Sequence, residues 1–160
     1  MSIEKARKHL SRWGKDSLVV EHEVSSATVE LASQALGTEP GRIAKTLSFL
    51  NGERTLLVVA AGDARVDSGK FKKAFGLKKA RMVPAEEVEP RIGHAIGGVC
   101  PFGVNEGVDV WLDESLRRYA TVFPACGSSN SSIELSLDEL AECSEARGWA
   151  DVCKDWQENS

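Results

Sequence analysis

Residues 46–61 read TLSFLNGERTLLVVAA, two apolar runs rich in β-forming residues that are separated by four polar residues. The intervening NGER segment at 51–54 has the length and the composition of a hairpin turn. We therefore predict that 46–50 and 55–61 are paired strands in the centre of a sheet.

Short helices and strands are predicted on both sides of this hairpin. Apolar residues at helical spacing predict helices at 3–13, 26–36, 69–75 and 136–146 and a helix start at 84–88. Ser26 is predicted to cap the second helix, Asp67 or Ser68 to start the third, and Gly76 and Gly148 to end the third and the last. Further β-rich runs predict strands at 18–21, 80–83, 108–112, 119–123 and 132–135. Hairpin-type connections with interspersed helices favour an α/β mixed fold, with a largely antiparallel, twisted sheet and helices packed on it.

The composition predicts one globular domain over residues 1–160. Apolar residues make up 42% of the chain and charged residues 28%, which suits a packed core with a hydrated surface. No apolar run is long enough to span a bilayer, and the charged start lacks the apolar core of a signal peptide, so we expect a cytoplasmic protein without a membrane partner. The formal net charge of -4 argues against coating of long nucleic acids such as DNA and limits any nucleic-acid contact to a local one.

The cysteines indicate neither a metal site nor a disulfide framework. They form no CxxC pair and show no spacing typical of zinc ligands. We therefore expect free thiols, no bound metal and no cofactor. The four residues are Cys100, Cys126, Cys143 and Cys153.

A glycine-rich segment at 92–103 carries the strongest signal for chemistry. It contains four glycines and one proline, too many for a helix or a strand. Glycines allow successive backbone N–H groups to converge on a ligand, as in anion nests and oxyanion holes. The spacing fits neither the dinucleotide-binding motif nor the P-loop. An anion or carbonyl site and a tight structural loop are equally open interpretations.

Two further side chains have both a structural and a chemical interpretation. Lys45 lies where an otherwise apolar strand begins, so it is either a solvated edge residue or a point charge that binds a phosphate or a carbonyl. Cys100 is either a buried small side chain or a thiol nucleophile, which needs an adjacent base or a positive field. His94 is the nearest histidine in sequence, and we interpret both His94 and His22 as structural or surface residues.

An ordered set of motifs gives the chain a family likeness over about residues 24–140. The motifs are IAKTLSF at 43–49, AAGD at 60–63, GGVCPFG at 97–103 and ACGSSN at 125–130. In this order they resemble the YbaK-like family of aminoacyl-tRNA deacylases, free-standing relatives of the editing domain inserted in bacterial prolyl-tRNA synthetases. The resemblance implies trans-editing, the hydrolysis of the ester that joins a small non-cognate amino acid to the terminal adenosine of a mischarged tRNA, most often tRNA for proline.

The resemblance also implies roles for single residues. Lys45, in the KTL-type motif, would contact the acceptor end of the tRNA and be needed for activity. The GxxxP loop at 97–101 would shape the pocket, and the amides of Gly97, Gly98 and Val99 would stabilise the oxyanion formed when water attacks the ester. The residues assigned to substrate binding are Thr46, Cys100, Pro101, Gly127 and Ser128.

Several interpretations stay open at this point. A chain of this fold can also be a non-catalytic module that binds aminoacyl-tRNA or a nucleotide without turnover. Cys100 stands where relatives often carry a hydroxyl residue, so alanine, cysteine, serine, threonine and 2-aminobutyrate are all open as the amino acid removed. Whether a prolyl-tRNA synthetase accompanies the protein is open as well.

A basic patch is predicted on the helix at 69–75 and the turn that follows it. The patch is either a solvated face or a contact for the acceptor stem of a tRNA. Its members are Lys70, Lys72, Lys73, Lys78 and Lys79.

Overall fold

The computed structural model describes residues 2–22 and 28–156. Its α-helices are α1 (Ser2–Leu10), α2 (Val29–Leu36), α3 (Ser68–Phe75), α4 (Ala85–Ile92) and α5 (Leu137–Cys143). Its strands are β1 (Val20–Glu21), β2 (Ile43–Asn51), β3 (Arg54–Ala61), β4 (Arg65–Val66), β5 (Val108–Asp113), β6 (Thr121–Pro124), β7 (Ser131–Ser132), β8 (Leu135–Ser136), β9 (Trp149–Ala150) and β10 (Cys153–Lys154). Within these ranges, no helix is both long and apolar enough to cross a membrane.

The hairpin of β2 and β3 forms the middle of the main sheet. The two strands pair antiparallel from Ala44 opposite Ala61 to Asn51 opposite Arg54, and the strand order of the sheet is β8-β6-β2-β3-β5-β9. The prediction of two paired central strands is confirmed. β2 begins at Ile43, earlier than predicted, because β6 pairs with its first residues.

The sheet contains both kinds of pairing. Among the described residues, the main sheet has two antiparallel and three parallel strand pairings, and two further antiparallel pairs, β1 with β7 and β4 with β10, lie outside it. The longest ladder, between β2 and β3, is antiparallel, whereas β5 runs parallel to β3. The predicted α/β mixed fold, with a largely antiparallel sheet and helices, is confirmed.

Capping residues set the ends of two helices close to the hairpin. Thr28 caps α2 by accepting a backbone N–H three positions later, and Gly37 ends this helix in the left-handed conformation with φ of 63°. The predicted cap Ser26 lies outside the described residues. Asp67 caps α3 and Gly76 ends it, as predicted.

Two predicted elements are wrong in their extent. The helix predicted at 136–146 ends at Cys143, because Glu145 adopts a left-handed backbone conformation with φ of 54° before Gly148 is reached. The single strand predicted at 132–135 is two strands, since β7 pairs with β1 whereas β8 pairs with β6. In both cases tertiary contacts override a continuous local pattern.

Three shorter elements also differ from their predictions. The helix predicted at 3–13 is α-helical only to Leu10 and finishes as a 3₁₀ turn. The strand predicted at 18–21 is reduced to β1, which a 3₁₀ turn precedes. Within 80–83 only Met82 pairs, and it does so as an isolated bridge opposite Phe49.

β3 carries the centre of the hydrophobic core. Residues 55–61 of this strand are all buried. The Phe71 ring of α3 lies 4.5 Å from that of Phe49 on β2, which packs this helix against the hairpin. β2 is therefore fixed by β3 on one side and by β6 on the other, and several of its residues border a cavity.

Candidate functional site

A cavity of about 410 Å³ lies beside β2, between α2, α4 and the glycine-rich loop of residues 93–103. Most of its lining is apolar, and polar groups are few. The lining residues with polar side chains are Thr28, Lys45, Thr46, Ser48, Ser131 and Ser132. A small apolar pocket with a few convergent polar groups is typical of a site for a small organic ligand.

Lys45 is fixed by the turn that follows the neighbouring strand. It lies opposite Ala60 of β3, and its ammonium donates hydrogen bonds to the carbonyl oxygen of Gly62, at 3.3 Å, and to that of Ala64. Burial lowers the pKa of Lys45 from its usual value, since the half-buried ammonium is partly removed from water. An ammonium carries three N–H donors. Two carbonyls therefore leave one N–H for a ligand in the cavity.

An ion pair stabilises the turn that holds Lys45. Asp63 accepts two hydrogen bonds from the guanidinium of Arg118, at 2.9 and 2.5 Å, and these bonds hold the pKa of Asp63 below its usual value. Asp63 lies between Gly62 and Ala64, whose carbonyls accept from Lys45. The sequence placed Asp63 in the AAGD motif but gave no indication of Arg118 as its partner.

The hydroxyl of Thr46 is an unpaired polar group in the cavity wall. Its Oγ1 is buried and has no hydrogen-bond partner within the described part of the chain. An unpaired buried hydroxyl costs about 1–3 kcal/mol, so a ligand atom that bonded to Oγ1 would recover part of that free energy. A rotation of the Thr46 side chain toward the cavity would give a ligand a second polar contact.

The glycine-rich loop contributes free backbone amides at two of the three predicted positions. Gly97 and Val99 line the cavity, and their N–H groups form no backbone hydrogen bond with another described residue. The N–H of Gly98, in contrast, donates to the carbonyl of Ala95 at 2.9 Å. The N–H of Gly98 is thus already used inside the loop, and its role as an oxyanion donor stays a prediction.

Gly98 has a packing role instead. A Cβ at this position would lie 2.6 Å from the carbonyl oxygen of Gly127 and 2.9 Å from the nitrogen of Ser128. Only a residue without a side chain allows this approach. The loop and the turn at 127–128, which the sequence assigned to one site, are thus in direct contact, and this contact holds the loop in place.

Cys100 and Pro101 belong to the buried part of the loop and are not among the residues that line the cavity, so their contact with the substrate stays a prediction. The Cys100 thiol lies 3.5 Å from Nε2 of His94. That nitrogen must carry a proton, because it bonds to the carbonyl oxygen of Phe102 at 2.7 Å. A protonated Nε2 does not accept the thiol proton, and burial raises the pKa of Cys100 to about 12. The structure favours the interpretation of Cys100 as a buried packing group.

Ser131 and Ser132 line the cavity where Gly127 and Ser128 were predicted to do so. Ser128 stands behind them, with its Oγ 2.6 Å from Oγ of Ser131 and 2.9 Å from Oδ1 of Asn130. The contact of Gly127 and Ser128 with the substrate stays a prediction, while Ser128 holds the lining residue Ser131 through its hydroxyl.

His22 contacts this wall, although the sequence did not mark it as a site residue. The pairing of β1 with β7 brings its Nε2 to 3.1 Å from Oγ of Ser132. The side-chain amide of Asn130 donates to the carbonyl of His22 at 2.9 Å. His22 and Ser132 are 110 positions apart, so no local pattern indicates the contact.

The acidic, histidine and cysteine side chains are arranged without a metal-binding cluster. Within the described ranges, no group of three such side chains is placed to hold a metal ion. All four cysteines are buried and unbonded, so the prediction of free thiols is confirmed.

The chain is similar to known proteins over most of its length. It is 51% identical over 158 residues to "Uncharacterized protein YwhH" of Bacillus subtilis, an alignment that covers 98% of this chain and 100% of that protein. It is 32% identical over 130 residues to "Putative Cys-tRNA(Pro)/Cys-tRNA(Cys) deacylase EbsC" of Enterococcus faecalis, which covers 80% of this chain and 73% of that protein. A solved structure described as "a putative trans-editing enzyme for prolyl tRNA synthetase" matches with a TM-score of 0.86 and 34% identity over 96% of this chain and 97% of that one.

The family comparison covers the part of the chain that builds the cavity. Residues 23–143 match the family described as the aminoacyl-tRNA editing domain. All the residues that line the cavity, and all four motifs quoted above, lie in this range. The family resemblance drawn from the motifs is confirmed. The chain belongs to the aminoacyl-tRNA editing domain family.

Proposed function

We propose that the protein is a trans-editing hydrolase that cleaves the ester between a small amino acid and the terminal ribose of a mischarged tRNA. The observation that carries this proposal is the arrangement of the Lys45 ammonium and the free amides of Gly97 and Val99 around one cavity. Membership of the editing-domain family supports the substrate class.

Hydrolysis of this ester by water requires groups that polarise the carbonyl, and it does not require a side-chain nucleophile. Water adds to the carbonyl carbon of the ester, the carbonyl oxygen becomes an oxyanion, and the bond to the ribose oxygen then breaks. The amino acid leaves as its acid, and the ribose oxygen takes up the proton that water released. Amides of Gly97 and Val99 would stabilise the oxyanion, while Lys45 would bind the terminal phosphate or the carbonyl. A hydroxyl of the terminal ribose would assist the attacking water, as the family resemblance implies.

The size and lining of the cavity favour a small amino acid. A volume of about 410 Å³ has to hold the amino acid together with part of the terminal adenosine. Apolar walls separate similar side chains by only about 1–3 kcal/mol, so we expect several small amino acids to be accepted. The unpaired Oγ1 of Thr46 would favour those that carry a hydroxyl or a thiol.

We also propose tRNA for proline as the carrier, in the cytoplasm and alongside a prolyl-tRNA synthetase. The support comes from the descriptions of two similar proteins, one in terms of Cys-tRNA(Pro) and one in terms of prolyl tRNA synthetase.

The test is to incubate the protein with tRNA for proline charged with alanine, cysteine, serine, threonine or 2-aminobutyrate, and to follow release of the amino acid. Correctly charged prolyl-tRNA and a reaction without protein are the controls. We expect at least one mischarged tRNA to be hydrolysed faster than prolyl-tRNA. Binding of these tRNAs without any hydrolysis would contradict the proposal and identify a binding module.

A further inference from the structure

A row of unpaired cations runs from α3 to the rim of the cavity. All of its side chains are exposed, and none forms an ion pair with another residue in the described ranges. We call this row the basic strip; its members are Lys72, Lys73, Lys78, Lys79 and Arg81. Lys70, which the sequence grouped with these lysines, is not part of it, because its ammonium binds Asp151 at 3.1 Å.

The basic strip stands out against the rest of an acidic chain. The formal net charge is -4, and most arginines outside the strip are neutralised by a carboxylate. Those arginines are Arg7, Arg12, Arg42, Arg54, Arg91, Arg117, Arg118 and Arg147. Five cations within ten consecutive residues, all left without a carboxylate, produce a local positive potential that attracts an anionic partner.

One end of the basic strip reaches the cavity. Met82 directly follows the strip and lines the cavity together with Val83. The strip is also tied to β2, since the N–H of Leu50 donates to the carbonyl of Arg81 at 2.8 Å and the N–H of Val83 donates to the carbonyl of Ser48 at 3.1 Å. A polymer whose end occupied the cavity would therefore leave it alongside the strip.

The other end of the strip reaches a second groove of about 370 Å³. Arg54 and Arg147 line this groove and share one carboxylate, that of Asp109, at 2.8 and 2.6 Å. Two guanidinium groups on one carboxylate leave an excess positive charge, and both arginine side chains are more than half exposed. Phe75, from the end of α3, lines the same groove.

The cavity and the second groove include residues of β2 that are close in sequence. Ser48 lines the cavity and Asn51 lines the second groove, on the same strand. Three residues of a strand span about 10 Å. The basic strip thus lies, along the chain, between residues of the second groove and residues of the cavity rim.

We propose that the basic strip binds the phosphodiester backbone of the tRNA acceptor stem while the aminoacylated end occupies the cavity. The inference rests on the proposed function, because it takes the cavity as the place of the ester. Cations that contact phosphates fix the position of a nucleic acid without reading its sequence. This would allow an acidic protein to hold tRNA through a local contact.

The test compares two substrates and two double variants. The substrates are a mischarged tRNA and a short aminoacylated fragment that ends in CCA and lacks the stem. The variants are Lys72→Gln with Lys73→Gln, and Lys78→Gln with Lys79→Gln. The control is Lys8→Gln with Arg12→Gln, which removes the same number of exposed charges from outside the cavity and the groove, one of them paired with Glu145. Binding of uncharged tRNA, measured by fluorescence anisotropy against salt concentration, adds a readout that does not need hydrolysis.

We expect each strip variant to lower kcat/KM for the tRNA about tenfold and to reduce the salt slope of tRNA binding by roughly 1–2, while the fragment is hydrolysed at the wild-type rate. The control should match wild type in every assay. Equal losses on tRNA and fragment, or unchanged tRNA binding in both strip variants, would overturn the inference. Wild-type protein that binds tRNA with a strip-dependent salt slope but hydrolyses neither substrate would instead contradict the proposed function alone.

Discussion

β2 and the glycine-rich loop both border the cavity, but they are held in place by different interactions. β2 lies between two hydrogen-bonded strands, and its Lys45 is fixed by two backbone carbonyls. Within the described part of the chain, the loop pairs with no strand. It rests on the contact of Gly98 with Gly127 and on the bond from His94 to the carbonyl of Phe102.

β2 therefore contributes a functional side chain to the cavity, whereas the loop contributes backbone amides and the shape of the cavity wall. A side chain on β2 can be replaced while the strand ladder keeps the backbone in place. The loss of such a side chain should therefore change the deacylation rate more than the free energy of unfolding. The loop offers backbone amides, which a substitution removes only by displacing the loop. A substitution that displaces the loop should therefore lower the deacylation rate and the free energy of unfolding together.

The largest combined effect is expected for Gly98→Ala. The added Cβ would meet the backbone of Gly127 at 2.6 Å, and overpacking of this kind costs about 1–3 kcal/mol. Displacement of the loop by about 1 Å would lower the deacylation rate roughly a hundredfold. Rates and denaturant midpoints measure both effects. Gly69→Ala, where the Cβ would meet only a side-chain oxygen at 3.3 Å, is the matched control. A wild-type rate in Gly98→Ala would show that the loop geometry does not matter.

A smaller effect on rate is expected for Arg118→Ala, which frees the turn that holds Lys45. Because the ion pair with Asp63 is partly exposed, its loss should cost at most about 1 kcal/mol of stability. The less ordered carbonyls of the turn should lower kcat roughly tenfold with little change in KM. Arg117→Ala, which removes an exposed pair with Glu114, is the control. Equal kcat values for both variants would refute this positioning role.

A still smaller change is expected for Thr46→Val, with opposite signs for stability and function. Removal of an unpaired buried hydroxyl should leave stability unchanged or raise it by up to about 1 kcal/mol. Loss of the ligand contact should raise KM about fivefold. The control is Thr55→Val, which removes a buried hydroxyl of β3 that accepts a hydrogen bond from Arg91. This variant should have a lower free energy of unfolding and an unchanged KM. An unchanged KM in Thr46→Val would remove Thr46 from the site.

The smallest effect on rate is expected for Cys100→Ser. The buried position should cost about 1–2 kcal/mol of stability, since a hydroxyl is more costly to bury than a thiol. The rate should stay within about threefold of wild type, because the thiol has no base and does not line the cavity. Cys126→Ser, another buried thiol, should behave alike. A collapse of activity in Cys100→Ser alone would restore the nucleophile interpretation.

The sequence predicted those parts of the fold that local patterns determine. The β2–β3 hairpin and the caps of α3, Asp67 and Gly76, follow from residues that are close in sequence. The split of the predicted strand at 132–135 does not, because β7 takes its partner from the first 22 residues of the chain. The early end of α5 likewise depends on the backbone conformation of Glu145, where neither glycine nor proline is present.

The candidate site was predictable in its residue types and less so in its contacts. Lys45 and the glycine-rich loop were indicated by the sequence and lie at the cavity. The use of the Gly98 amide inside the loop and the contact of Gly98 with Gly127 depend on tertiary packing. The support of the Lys45 turn by Arg118 joins residues 55 positions apart, and no local pattern marks it.

The most direct test of the role of Lys45 in deacylation is the variant Lys45→Met. Its single-turnover rate is measured on the mischarged tRNA that the wild-type protein hydrolyses best, and the unfolding midpoint of the variant is measured as well. Lys70→Met is the matched control, because Lys70 also donates to a backbone carbonyl but lies outside the cavity. We predict that Lys45→Met loses at least about a hundredfold in rate while its free energy of unfolding stays within about 1 kcal/mol of wild type. A Lys45→Met protein that deacylates at the wild-type rate would show that the Lys45 ammonium does not take part in the reaction.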